Sequence, residues 1–371
     1  MRSQANGWVR LSALCIVATL VLAACQPAAS EPPQELTKIK LQLQWVVQSQ
    51  FAGYFAAVDQ GFYEDEGLEV TILQGAVDIV PQQVLASGQA DFAVSWVPKA
   101  LVSREEGAKI VNVAQIFQRS GTLEVSWKDS GITKPEDWRG KKVGTWGFGN
   151  EFELTAAMVQ AGLDPNNDVT IIQQPFDMSL LLNREVDAAE AMTYNEYAQV
   201  LEATGPDGQL LYTADDLSVI NFNDVGTAML QDALWAREDW VKDTNNWVTL
   251  NHFLRATFRG WVFCRDNFDQ CVDIVLKNGP TLGRGHMAWQ LNEINKLIWP
   301  SPAGIGVMDQ ALWDQTVAVA TSQKVLKAAP DAGAFDADFA KEVVDKLKSE
   351  GVDVTGASYT PKTVEITPGG E

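Results

Sequence analysis

The sequence predicts an α/β protein whose two domains face each other across a ligand cleft. Three observations lead there. Short apolar strands alternate with helices from Ile39 to Phe117, the pattern of a mainly parallel sheet covered on both faces. The alternation starts afresh after Trp127 and runs to Thr213. From Val219 the pattern turns helical, so the chain is expected to return to the first set and wrap it. A domain inserted into another, with two crossings, has a cleft and a hinge and can close on a ligand. The expected boundaries are 38–127 with 218–359 for the first domain and 128–217 for the second, then a loose tail at 360–371.

The first residues read as a targeting segment. Arg2 and Arg10 make it basic, and Leu11 to Leu22 is an apolar run too short for a comfortable membrane span. Leu22-Ala23-Ala24-Cys25 resembles the lipobox of bacterial lipoproteins. That resemblance implies cleavage of residues 1–24, lipid on Cys25, and a protein held at the cell membrane on its extracytoplasmic face. The polar, Pro-rich stretch to residue 37 suits a flexible tether. The 371-residue chain has 28 Lys and Arg against 48 Asp and Glu, a net charge of −20. Such a balance argues against nucleic acid, whose phosphates need a basic surface.

In order, Ile39 to Leu43 reads as a strand, followed by a polar turn, a short helix ending near Gly61, and a strand at Leu68 to Leu73. Helix Val80 to Ser87, strand Asp91 to Trp96, helix Pro98 to Glu106 and strand Lys109 to Phe117 continue the first set. The second set runs from strand Lys142 to Gly144 through helix Glu151 to Ala161. It continues with strand Val169 to Gln173, helix Met178 to Asn183, strand Ala188 to Met192 and helix Asn195 to Ala203. Helices follow at Asp232 to Val241, Asn245 to Arg265, Gly285 to Trp299, Gln310 to Ser322 and Ala337 to Ser349. Cys264 and Cys271 fall in one helical segment, about 10 Å apart by helical rise and beyond disulfide reach. The spacing favours two buried thiols; a break near Asp266-Asn267 is the alternative that would join them.

The turns at the carboxyl ends of the strands are the expected site, because open α/β sheets bind ligands there. The first turn, Trp45 to Tyr54, combines the rings Trp45, Phe51 and Tyr54 with the amides Gln48 and Gln50. Trp96 and Trp146 fall at equivalent strand ends, where flat π surfaces can stack on a heteroaromatic ring. In GTWGFGN, Phe148 and Asn150 precede a helix start, and Asn150 serves equally well as a cap. Asp177, Tyr194, Asn195 and Glu196 occupy the corresponding turns of the second set, with helix capping as their ordinary structural role.

The order of lipobox, QWVVQSQFAGYFAAVDQGFYEDEGLEVTI, VLASGQADFAVSW, ITKPEDWRGKKVGTW and AMTYNEY resembles the substrate-binding proteins of ABC importers. The nearest branch groups sulfonate binders with thiamin-pyrimidine binders and synthases. The resemblance spans the chain after its leader to about Ser322. It implies a type II periplasmic-binding-protein fold, with a membrane permease and an ATPase as partners. QSQFAGYFAA looks like the subset associated with riboflavin uptake. Thiamin-pyrimidine relatives usually carry Pro and His where this chain has Val47 and Phe51, a departure that points to a larger and more apolar ring. The same resemblance favours Phe51, Tyr54, Tyr194 and Glu196 as ligand contacts.

For catalysis the sequence is poor. His252 and His286 stand alone in helical contexts, no GxSxG occurs, and no cysteine cluster has zinc spacing. No metal or cofactor is expected. Fungal pyrimidine synthases share the implied fold but depend on a cysteine-rich motif that this chain lacks. The expectation is therefore a binding protein for riboflavin, with a formylaminopyrimidine as the alternative ligand. Small anions would want arginines in these turns, which have none.

Overall fold

The computed structural model describes residues 35–371. The expected leader, Cys25 and the tether up to residue 34 lie outside them. Two five-stranded sheets form. The first contains Thr37–Gln42 (β1), Leu68–Leu73 (β2), Phe92–Trp96 (β3) and Ile110–Gln115 (β4). The second contains Thr122–Trp127 (β5), Lys142–Thr145 (β6), Thr170–Gln173 (β7), Ala188–Met192 (β8) and Leu217–Asn221 (β9). Asp232–Arg237 (β10) then returns to the first sheet, giving the orders β2-β1-β3-β10-β4 and β7-β6-β8-β5-β9.

One strand in each sheet runs against its neighbours. β10 is antiparallel to β3 and β4, and β5 is antiparallel to β8 and β9. Each is the first strand that the chain lays down after a crossing. A chain that crosses directly enters the new sheet at its cleft end, so it runs opposite to strands fed by a crossover helix. This corrects the expected boundaries. Leu123 to Trp127 belongs to the second sheet, so the outgoing crossing falls between β4 and β5, before residue 128. The return falls after β9, beyond residue 218. The crossings are tied together: the Gly121 N–H donates to Gln231 Oε1 at 2.8 Å, and Gln231 Nε2 donates to Thr122 Oγ1 at 2.7 Å.

The expected helix Asp232 to Val241 is also corrected. Its first half is β10, and only Glu238–Lys242 is helical. β10 sits between two strands with Asp232 to Ala236 all buried. A strand buried on both faces shows no alternation, so periodicity does not separate it from a helix.

The core of the first lobe forms where helix Ala52–Asp59 crosses the long helix Trp247–Asp266. The crossing depends on two glycines. A Cβ at Gly53 would collide with the Trp261 indole, and one at Gly260 would collide with the Gly53 carbonyl. Phe51 and Tyr54 are drawn into this core, with Tyr54 edge-on to Trp261 at 5.5 Å.

The expectation of two free thiols is overturned, because Cys264 and Cys271 form a disulfide with Cα atoms 5.0 Å apart. The helix stops at Asp266 and restarts at Phe268, with Asn267 at φ −122°, ψ 56°. That corner folds Cys271 back onto Cys264. The tail expected to be loose is packed instead. Lys362 N donates to Asn292 Oδ1 at 2.9 Å, Ile366 lies on the second lobe's core, and Gly369 N donates to the Glu202 carbonyl at 2.9 Å. Among the described residues no helix is long and apolar enough to cross a membrane.

Candidate functional site

Between the two sheets lies a cleft of about 420 Å³. This falls within the roughly 300–1,000 Å³ usual for small-molecule sites. Its walls are the strand-end turns of both lobes, as carboxyl-edge chemistry requires. Ten of the thirteen expected site residues line it: Trp45, Gln48, Gln50 and Trp96 from the first lobe, with Trp146, Phe148, Asn150, Tyr194, Asn195 and Glu196 from the second.

Three do not. Phe51 and Tyr54 are 0% and 1% exposed and face the core, because Ser49–Phe51 is a 3-10 turn that rotates the following helix inward. The difference between Phe51 and the histidine of thiamin-pyrimidine relatives therefore bears on packing and not on a ligand contact. Asp177 is exposed away from the cleft and accepts the Ser179 N–H at 2.8 Å, holding the start of a short helix. The capping alternative fits Asp177 and fails for Asn150. The Asn150 amide donates to the Gly147 carbonyl at 2.7 Å and accepts from Lys99 Nζ at 2.8 Å.

The cleft presents rings to the ligand. Phe176, in the turn after β7, packs 4.8 Å from Trp45 of the opposite lobe and lies nearly parallel to Trp146 at 6.5 Å. Phe148 stands 74% exposed with a left-handed backbone, φ 55°. Such backbone conformations are costly for a residue with a side chain and cluster at functional sites. Lys99 reaches over the Trp96 ring, 4.6 Å from its centroid.

Behind the rings runs a line of polar side chains. Asp232 accepts from Gln44 Nε2 at 2.6 Å, Trp96 Nε1 at 2.8 Å and Gln50 Nε2 at 3.0 Å. Gln48 Nε2 donates to Gln50 Oε1 at 2.6 Å, and Gln290 Nε2 donates to both Gln48 Oε1 and Asn195 Oδ1 at 3.1 Å. Gln48 and Gln50 are thus committed to one another and not to their own backbone. The line joins the first lobe to the second at the cleft floor. Asn195 Nδ2 passes on to Glu196 Oε1 at 2.6 Å, while Glu196 Oε2 accepts the Met192 N–H at 3.0 Å.

Burial dominates the ionisation of this floor. It pushes the Asp232 carboxyl up to about 7 against its three donors, and the Glu190 carboxyl up to about 8 against the Thr145 hydroxyl and the Trp146 N–H. Burial also pulls the Lys99 ammonium down to about 8, with Glu190, Glu151 and Asp232 opposing it. Sequence reasoning missed Lys99, Phe176 and Asp232. Phe176 was legible, since it adjoins Asp177 in a turn already singled out. Asp232 was hidden by reading its strand as a helix.

The two histidines have structural partners. His252 Nδ1 meets the Glu66 carbonyl at 2.8 Å, and His286 lies between Glu202 and Asn195, 2.8 Å from each. No group of three or more metal-ligating acids, histidines or cysteines occurs among the described residues.

Comparison with known proteins places these features in context. The profile of the "NMT1/THI5 like" family matches residues 48–270. The riboflavin-binding protein RibY of Chloroflexus aurantiacus is 26% identical over 322 residues, 83% of this chain and 88% of that protein. The formylaminopyrimidine-binding protein of Halalkalibacterium halodurans is 23% identical over 265 residues, 71% of this chain and 77% of that one. The fold is that of the periplasmic aliphatic sulphonate binding protein SsuA from Escherichia coli, with a TM-score of 0.59 and 15% identity over 90% of this chain and 94% of that one.

Proposed function

The chain belongs to the NMT1/THI5-like family, and from that premise we propose that it is the solute-binding component of an ABC importer that captures riboflavin. The observation that carries this reading is the row of rings Trp45, Phe176 and Trp146, which spans both lobes beside a buried line of amides. A planar isoalloxazine ring stacks on such a row, and its pyrimidine edge carries both acceptors and a donor for amide and indole groups. The similarity to RibY over most of both chains supports the same ligand.

In this reading no bond is made or broken. The lobes close over the ring by rotation at the two crossings, and the closed form delivers its cargo to a membrane permease driven by an ATPase. We propose further that the protein is lipid-anchored through Cys25 on the extracytoplasmic face. The Cys264–Cys271 disulfide supports that address, since such bonds persist in oxidising compartments.

A thiamin-pyrimidine precursor is the second reading, favoured by the formylaminopyrimidine-binding relative. Isothermal titration of the purified protein with each compound separates the two. Saturable one-to-one binding of riboflavin, with quenching of tryptophan fluorescence, is the expected result. Heat with the pyrimidine alone would replace the ligand and leave the transport role standing.

A further inference from the structure

Among the described residues, two side chains of the cleft wall carry a buried polar atom that the protein leaves without a partner. They are Gln82, through Oε1, and Trp146, through Nε1. Both side chains are nearly sealed, at 4% and 3% exposure. They come from opposite lobes. Gln82 sits in the short helix Pro81–Ala86, and Trp146 follows β6.

The orientation of the Gln82 amide is set by its neighbour. Gln82 Nε2 lies 2.7 Å from Ser95 Oγ, and that hydroxyl gives its own proton to the Trp96 carbonyl at 3.3 Å. Ser95 can therefore only accept from Gln82, which leaves Oε1 as a fixed acceptor. The Trp146 turn is held just as firmly, because its backbone N–H donates to Glu190 Oε2 at 3.1 Å. Its indole N–H is a fixed donor. Buried polar atoms are ordinarily paired, so an unpartnered acceptor and an unpartnered donor on side chains that line one cleft match a ligand that completes them.

We propose that Gln82 and Trp146 read the edge of the bound ring, Gln82 taking an N–H and Trp146 giving its proton to a carbonyl or ring nitrogen. The ligand class is a planar heterocycle with a donor and an acceptor on its rim, such as a cyclic imide or an aminopyrimidine. Because the two groups lie on different lobes, a ligand lacking either one engages only half the site. This inference rests on the ring-binding reading of the cleft and adds the residues that choose among rings.

The test is isothermal titration of the wild-type protein, Gln82→Leu and Trp146→Phe with riboflavin, with formylaminopyrimidine, and with the N-methylated counterpart of whichever binds. Each substitution is expected to weaken the bound heterocycle about tenfold. N-methylation should weaken it similarly on the wild type but cause no further loss on Gln82→Leu. Unchanged affinity in variants that melt like the wild type would overturn the inference. So would equal affinity of the wild type for the ligand and its N-methyl derivative, a comparison that needs no variant to fold. A wild type that binds the pyrimidine and not riboflavin removes the riboflavin reading, while the variants still decide the roles of Gln82 and Trp146. Binding of neither compound removes both.

Discussion

Glu153 accepts the Ser120 hydroxyl at 2.8 Å, which fastens the start of a second-lobe helix to the outgoing crossing. Its other carboxylate oxygen accepts the Met229 N–H at 2.7 Å on the return crossing, so one buried side chain holds both strands of the hinge. Glu153→Ala leaves the buried Met229 N–H unpaired and takes the acceptor from the Ser120 hydroxyl proton. A loss of about 1–3 kcal/mol is expected in urea unfolding. Glu153→Gln, which keeps an acceptor for one of them, should lose less.

Stability should fall as pH rises from about 4 to 8. The Asp232, Glu153 and Glu190 carboxyls release their protons near 3.8 to 4.5 when unfolded, but burial holds them to about 7, 8 and 8 in the fold. Between those limits the folded protein binds more protons, so raising the pH draws the equilibrium toward the unfolded chain. Lys99, lowered to about 8, acts only above that window. Thermal melts should give a Tm at least about 4 °C higher at pH 5 than at pH 8. The difference should shrink in Glu190→Gln.

Asp232 orients three cleft residues without lining the cleft itself. Asp232→Ala frees Gln44, Gln50 and Trp96 from their shared acceptor. Ligand affinity should drop about tenfold, read by fluorescence titration, since three buried donors lose their shared acceptor. Asp232→Asn, which keeps one acceptor oxygen, should fall between that variant and the wild type.

The helix crossing at Gly53 and Gly260 has no room for a methyl group. Gly260→Ala forces its Cβ against the Gly53 carbonyl and the Ala57 side chain. Overpacking of this kind costs about 1–3 kcal/mol, measurable as a lower midpoint in denaturant.

Reducing the Cys264–Cys271 bond, or replacing both cysteines with serine, should lower stability by about 2–3 kcal/mol, as chain entropy predicts for so short a loop. Mass spectrometry after thiol blocking should find both cysteines unlabelled in the native protein.

Most of the fold was legible because strand–helix alternation survives in composition alone. β8 and the strand Leu68–Leu73 fall where apolar runs place them. β10 was not legible, because a strand buried on both faces has no period of two, and that error concealed Asp232. The site was legible to the extent that strand-end turns converge on the cleft. What pattern could not supply was rotation about the chain axis. Phe51 and Gln50 are neighbours in sequence, yet one enters the core and the other joins the polar line. The disulfide was obscured for a related reason: a helix continued on paper through Asn267 turns a corner there.

Residues 360–371 give the hinge a third tie. Val364 packs on the core of the first lobe, Ile366 on that of the second, and Gly369 is bonded to Glu202. Two covalent crossings alone would let the lobes twist as well as part. A strap seated on both sides removes most of that freedom and leaves a path along which it peels or stretches. Its last residues, 367–371, sit against His286 and Glu202, so the tie reaches back to Asn195 at the cleft.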